Sequence, residues 1–185
     1  MKHLLFALLG CCLLLCSTPD TAAARGPTEN RFHIGAGFAY GDPFDEDLLP
    51  NPWGYGLALR AGFTFSNGLY IGGMADLYVG NESTGYRTAA STQLFGGVLG
   101  ADLKLAASVS ARLAIMGGIH NVTVEGNTPK KPLPATGQPF VAPSLELVMG
   151  LGDHFYMCPA ARINLFVADD FETMVTWSFS LGASL

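Results

Sequence analysis

Seven charged side chains stand out against the runs that carry them. Arg60, Asp76, Asp102, Lys104, Arg112, Glu146 and Arg162 lie in stretches that alternate apolar residues with small or polar ones. Each falls on the small or polar side of its stretch. Both signs are present, so the set can pair with itself. Charges withdrawn from water must be paired and hydrogen-bonded. Two kinds of chemistry follow. Fixed ion pairs would fill and lock an interior. Pairs that exchange partners would open and close a narrow path for small solutes.

Two histidines, His33 and His120, share the polar side. A catalytic imidazole needs a nucleophile within hydrogen-bond reach. Around His120 the chain runs Gly118-Ile119-His120-Asn121-Val122-Thr123; the lipid A deacylases carry a His–Ser pair one residue apart along a strand, and a resemblance to them fails here because Val122 stands in the serine's place. Both histidines therefore read as parts of an interior polar network. Asp42, Asp45, Glu46 and Asp47 form one acidic cluster; Asp169, Asp170 and Glu172 form another. Carboxylates in this number suit hard divalent cations, but the spacing is not that of a calcium loop. Solvated loops explain them as well. Asn81-Glu82-Ser83 and Asn121-Val122-Thr123 match the glycosylation pattern by chance. There is no phosphate-cradling glycine loop, no Cys/His metal spacing and no Ser-His-Asp constellation. No catalytic, cofactor-binding or metal-ligating residue is assigned, and no cofactor is expected.

The elements that must position these charges are strands. The clearest is Thr173 to Leu185, where Val175, Trp177, Phe179, Leu181, Ala183 and Leu185 alternate with Thr176, Ser178, Ser180, Gly182 and Ser184. A strand points successive side chains to opposite faces. One face here suits an oily medium; the other is small enough for a cramped interior. Seven further stretches repeat the pattern: Arg31 to Tyr40, Trp53 to Phe65, Leu69 to Val79, Thr92 to Leu105, Val109 to Val124, Phe140 to Met149 and Phe155 to Val167. Ser66-Asn67-Gly68 is a tight hairpin signal. Pro143 and Pro159 interrupt their strands and imply a bulge or a local break in pairing.

Composition supplies the medium. The 185 residues are 49% hydrophobic and only 14% charged, with 23 glycines. After the N-terminus there is no apolar run of about 20 residues, so no helical span. A membrane chain without apolar helices must satisfy its backbone in a closed barrel. Residues 1–24 read as a signal peptide: Lys2 and His3, an apolar run Leu4 to Leu15, and Ala22-Ala23-Ala24 as the cleavage site. Lipidation at Cys11 or Cys16 is the competing reading. Cleavage after Ala24 would leave Cys158 as the one cysteine, with no internal disulfide possible. It would also remove one lysine and one aspartate, keeping the net charge at −5, which argues against nucleic acid as a partner.

Strands of about 10 residues or more cross a bilayer at a tilt. The connections alternate between long (41–52, 80–91, 125–139) and short (66–68, 106–108, 150–154). Short turns on the periplasmic side and long loops outside are the asymmetry of an outer-membrane barrel. Tyr40, Trp53, Tyr55, Phe63, Phe65, Phe140, Phe155 and Trp177 lie near strand ends, where interfacial girdles form.

By this pattern, residues 25–185 form one domain that resembles the eight-stranded outer-membrane barrel superfamily, including the OmpA transmembrane domain and OmpX. The resemblance covers roughly residues 31–185 and rests on strand count and alternation. It implies an all-β, eight-stranded antiparallel up-and-down transmembrane barrel in the cell outer membrane. The terminal strand of that family commonly ends in an aromatic residue read by the barrel-insertion machinery; this chain ends in Leu185. The implied partners are outer-membrane lipids, lipopolysaccharide and that machinery during assembly. Lys130 and Lys131 could meet lipopolysaccharide phosphates. The expected function is structural and surface-interacting, in a monomer that is not an enzyme. A narrow or gated pore is the alternative. A lipid A-modifying enzyme comes third, since the His–Ser pair of the lipid A deacylases is missing.

Overall fold

The alternation is realised as eight strands and no helix among the described residues. The computed structural model describes residues 30–43, 54–79, 88–126, 137–167 and 173–185. The strands are β1 (Arg31–Pro43), β2 (Gly54–Thr64), β3 (Leu69–Val79), β4 (Thr88–Ala106), β5 (Val109–Gly126), β6 (Gln138–Gly150), β7 (Phe155–Phe166) and β8 (Thr173–Ser184). Each pairs antiparallel with the next, and β8 pairs antiparallel with β1 to close the ring. Closure leaves no raw sheet edge along the paired lengths. The signal peptide, Trp53, the acids Asp45, Glu46, Asp47, Asp169, Asp170 and Glu172, the pair Lys130 and Lys131, and Asn81-Glu82-Ser83 lie outside the described residues.

Several strands outrun the sequence expectation. β4 starts at Thr88 and β5 reaches Gly126, in continuous register from Thr88↔Gly126 down to Lys104↔Ser110. Backbone pairing does not stop where the side chains cease to alternate. The register shifts only beside the β4–β5 turn, between Lys104 and Ala106. At the β2–β3 turn, Gly68 has φ +83°, and its N–H bonds Phe65 O at 2.9 Å.

The two faces differ in kind. Outward residues such as Ile34, Phe38, Ile71, Leu99, Ile115 and Leu181 are exposed, Phe38 by 79%. Apolar surface on this scale needs a nonaqueous medium or a partner. Inward residues are buried: Met74, Leu94, Met116, Phe140, Phe166 and Met174 lie in one apolar cluster, Val148, Tyr156 and Cys158 in another. Two inward tyrosines fit over glycines. A Cβ at Gly72 would sit 2.2 Å from Tyr70 Oη, and one at Gly182 would sit 2.2 Å from Tyr156 Cζ.

Aromatics do gather near the ends. Tyr40 pairs in register with Tyr55 on one side and Trp177 on the other, towards the long-connection end. Phe63 and Phe65 pack edge to face, 5.0 Å apart, at the other end. Phe140 is a correction to the girdle expectation. It shares its face of β6 with Ser144 and Glu146, so it turns inward and lies buried 6.3 Å from Phe166.

Pro143 and Pro159 produce breaks rather than bulges. The β6–β7 ladder keeps one register from Phe140↔Phe166 to Gly150↔Tyr156. Pairing is missing at Ala142 and Pro143 and again at Leu147 and Val148, opposite Cys158 and Pro159. Proline has no N–H to give a ladder, and both prolines cost the same seam.

Candidate functional site: the charged barrel interior

Six of the seven charges meet inside the barrel in two clusters. The first centres on Asp76 of β3, which is fully buried. Arg60, on the neighbouring strand, gives it a forked pair of bonds: Nη1 to Oδ1 at 2.5 Å and Nη2 to Oδ2 at 3.3 Å. Arg162 reaches Asp76 Oδ2 from β7, across the lumen. Its other terminal nitrogen, Nη1, faces two thioethers, Met116 Sδ at 3.3 Å and Met74 Sδ at 3.6 Å.

A chain of polar groups runs on from this pair. Asn164 Nδ2 donates to Thr176 Oγ1 at 2.9 Å. Thr176 and the Tyr78 hydroxyl are 3.3 Å apart, and Tyr78 donates to Asp76 Oδ2 at 3.3 Å. With Asn164 able only to donate through Nδ2 and Asp76 able only to accept, every hydroxyl proton along the chain points towards the carboxylate.

The second cluster centres on Arg112 of β5. Its Nε meets Asp102 Oδ1 at 2.6 Å and its Nη2 meets Asp102 Oδ2 at 2.9 Å. Its Nη1 lies 3.6 Å from Glu146 Oε2. Asp102 and Glu146 are the register partners of Arg112 on β4 and β6. The guanidinium also lies 3.7 Å over the Tyr70 ring and donates to Thr64 at 3.1 Å. Three arginines thus face three carboxylates, and the described ion-paired interior has no net charge. Lys104 shares the inward register but is exposed at the short-turn mouth.

Both histidines are buried in the lining. His33 stacks on Tyr70 at 5.0 Å, with Tyr156 Oη 3.3 Å from Nδ1 and Thr64 Oγ1 3.4 Å from Nε2. His120 Nδ1 is 3.0 Å from Gln138 O, and its ring meets Phe166 edge on at 4.6 Å. Parity alone turns Tyr70, Tyr78, Met74 and Met116 inward, but it does not show that they touch the charges. Arg162 meets Met74, Met116 and Tyr78 from across the lumen, contacts that only closure of the ring brings about. Among the described residues, no group of three or more His, Cys, Asp or Glu side chains is placed to hold a metal ion.

No protein-family profile matches the chain, and no curated protein matches it either. Solved structures do. Ail, the attachment invasion locus protein of Yersinia pestis, superimposes with a TM-score of 0.61 at 14% identity, over 85% of this chain and 99% of that one. Neisserial surface protein A gives 0.61 at 13% identity, over 83% and 96%. The outer-membrane protein OprG of Pseudomonas aeruginosa gives 0.58 at 10% identity, over 86% and 98%. The chain has the closed eight-stranded antiparallel fold of these outer-membrane barrel proteins.

Proposed function

We propose that this protein is a small outer-membrane barrel with a structural and surface-interacting role, closed to steady solute flow and not an enzyme. The observation that carries the reading is the Asp76 pair. One carboxylate holds an arginine from its neighbouring strand and another from across the lumen, so the bridge spans the path a solute would take. An eight-stranded barrel has an interior about wide enough for its own side chains. Bilayer lipids and lipopolysaccharide would surround the exposed aliphatic band. The barrel-insertion machinery would meet the chain during assembly, and the protein would work as a monomer without nucleic acid. The long connections, on the side away from both described termini, would present the recognition surface.

Planar bilayers test this directly. The refolded chain is expected to show no large steady conductance. The informative variant is Asp76→Asn, which strips Arg60 and Arg162 of their shared partner at once. A stable channel in the unmodified protein would overturn the closed reading. A channel that appears only in Asp76→Asn would favour the gated pore.

A further inference from the structure

Arg162 and Asn164 stand side by side on the inner face of β7, 3% and 0% exposed. The terminal nitrogens of Arg162 serve Asp76, Tyr78 and the two thioethers. Its Nε–H has no hydrogen-bond partner among the described residues. The Asn164 amide is fixed by its acceptors. Nδ2 donates to Thr176 Oγ1 at 2.9 Å and to the Met174 carbonyl at 3.3 Å, and a carbonyl can only accept. That orientation leaves Oδ1 as a buried oxygen without a partner among the described residues. Ile163, between them, adds a third group. Val167 N–H bonds Pro139 O at 3.0 Å, so the odd residues of β7 turn their backbone groups to β6. The β6–β7 register places Pro143 opposite Ile163, and a proline has no N–H to give the Ile163 carbonyl.

One donor and two acceptors thus meet within three residues, away from bulk solvent. Buried polar groups are answered by protein or by ordered water. An anion here would answer Nε–H and leave both oxygens facing more negative charge. A cation would answer the oxygens and face the guanidinium. A water molecule has the lone pair and the two hydrogens that the set requires. The side chains opposite on β6, Ala142 and Ser144, are small and leave room for it. We propose that a single water molecule is bound at this point, accepting from Arg162 Nε–H and donating to Asn164 Oδ1 and the Ile163 carbonyl. About three hydrogen bonds is the usual number for a buried water. The water completes a circuit. From Arg162 one arm runs directly through Nη2 to Asp76. The other runs through the water, Asn164, Thr176 and Tyr78 to the same carboxylate. The guanidinium that crosses the lumen is then held at both ends, and the proline break in the seam is the seat of the water. The site is independent of whether the barrel conducts.

The test is a crystal structure of the refolded full chain at a resolution that shows ordered water. A density peak is expected within about 3.2 Å of Arg162 Nε, Asn164 Oδ1 and Ile163 O. In micelles, the Arg162 Nε–H should give a nuclear Overhauser cross-peak to water, with the sign of a long-lived contact. The hydroxyls of Thr176 and Tyr78 exchange with solvent and can imitate that cross-peak, so the density decides the position. Ala142→Val puts two methyl groups into the space and should lose both signals. Where that variant does not fold, the density of the unmodified chain decides alone. No peak there, a direct bond between Nε and Oδ1, or a peak that survives Ala142→Val in place would overturn the proposal.

Discussion

Arg112 is the residue on which most of the lower interior converges. It bonds Asp102 through two nitrogens, approaches Glu146, reaches Thr64 and covers the Tyr70 ring. Arg112→Ala would leave two carboxylates short of their cation in a buried place. Breaking a buried pair from one side costs about 3–5 kcal/mol. The expected result is a folded barrel that loses its SDS resistance at a lower temperature, without a stable channel. Unchanged heat resistance would contradict the placement. The glycines beneath the tyrosines give a separate expectation. Gly182→Ala would drive a methyl into the Tyr156 ring, and such overpacking costs about 1–3 kcal/mol. Paired with Tyr156→Ala the cost should largely vanish, a non-additivity that a double-mutant cycle measures. How much of this was legible depends on register. Asp102, Arg112 and Glu146 are direct neighbours on adjacent strands, and their inward parity was visible in the sequence. The bond from Arg162 to Asp76 crosses the lumen, and no strand pattern predicts which opposite side chains meet. Lys104 had the inward parity too, yet the ladder shifts beside it and the lumen ends there.

At the scale of the element, the β6–β7 seam is the weak one. It keeps register while missing two sets of pairs, and a proline stands at each. Backbone hydrogen exchange should be fastest, among strand amides of this barrel, at Ile163 and Leu147, whose N–H groups face the interrupted seam; Asn164 and Val148 point theirs to the intact ladders with β8 and β5. Pro143→Val restores a donor that the ladder lacks, and a net hydrogen bond contributes about 1 kcal/mol. A higher unfolding temperature for that variant is expected; a lower one would mean that the proline ring supports packing instead. The strands themselves were legible because period two survives from end to end: β3 has the bounds that its alternation implies. The extensions of β4 and β5 were not, because pairing there continues past the apolar pattern. Phe140 lies close to a strand end, where girdles form, but its parity turns it into the lumen.

At the scale of the whole molecule, the exposed aliphatic face and the filled interior exchange the usual roles of core and surface. An oily wall with a polar filling cannot stand in water, so the expected home of the folded chain is a bilayer. A sample that has not been boiled should run differently from a boiled one on an SDS gel, and should do so from the outer-membrane fraction. A soluble, heat-indifferent band would overturn the membrane reading.

The closing seam carries a consequence for how the ring is made. Arg31 and its strand are joined to β8, at the far end of the chain, from His33↔Ser184 to Pro43↔Met174, and Leu185 N–H bonds Phe32 O at 2.7 Å. Every other seam joins neighbours in sequence and can form as the chain arrives. β1 alone must wait, its outer row of amides and carbonyls unanswered, until β8 is delivered. Contacts of such long sequence separation are slow to form, because loop closure precedes any reward. Assembly therefore contains an obligatory interval in which the sheet is an open ribbon with two raw margins. During that interval it must be shielded, or it will zip onto a second ribbon and polymerise.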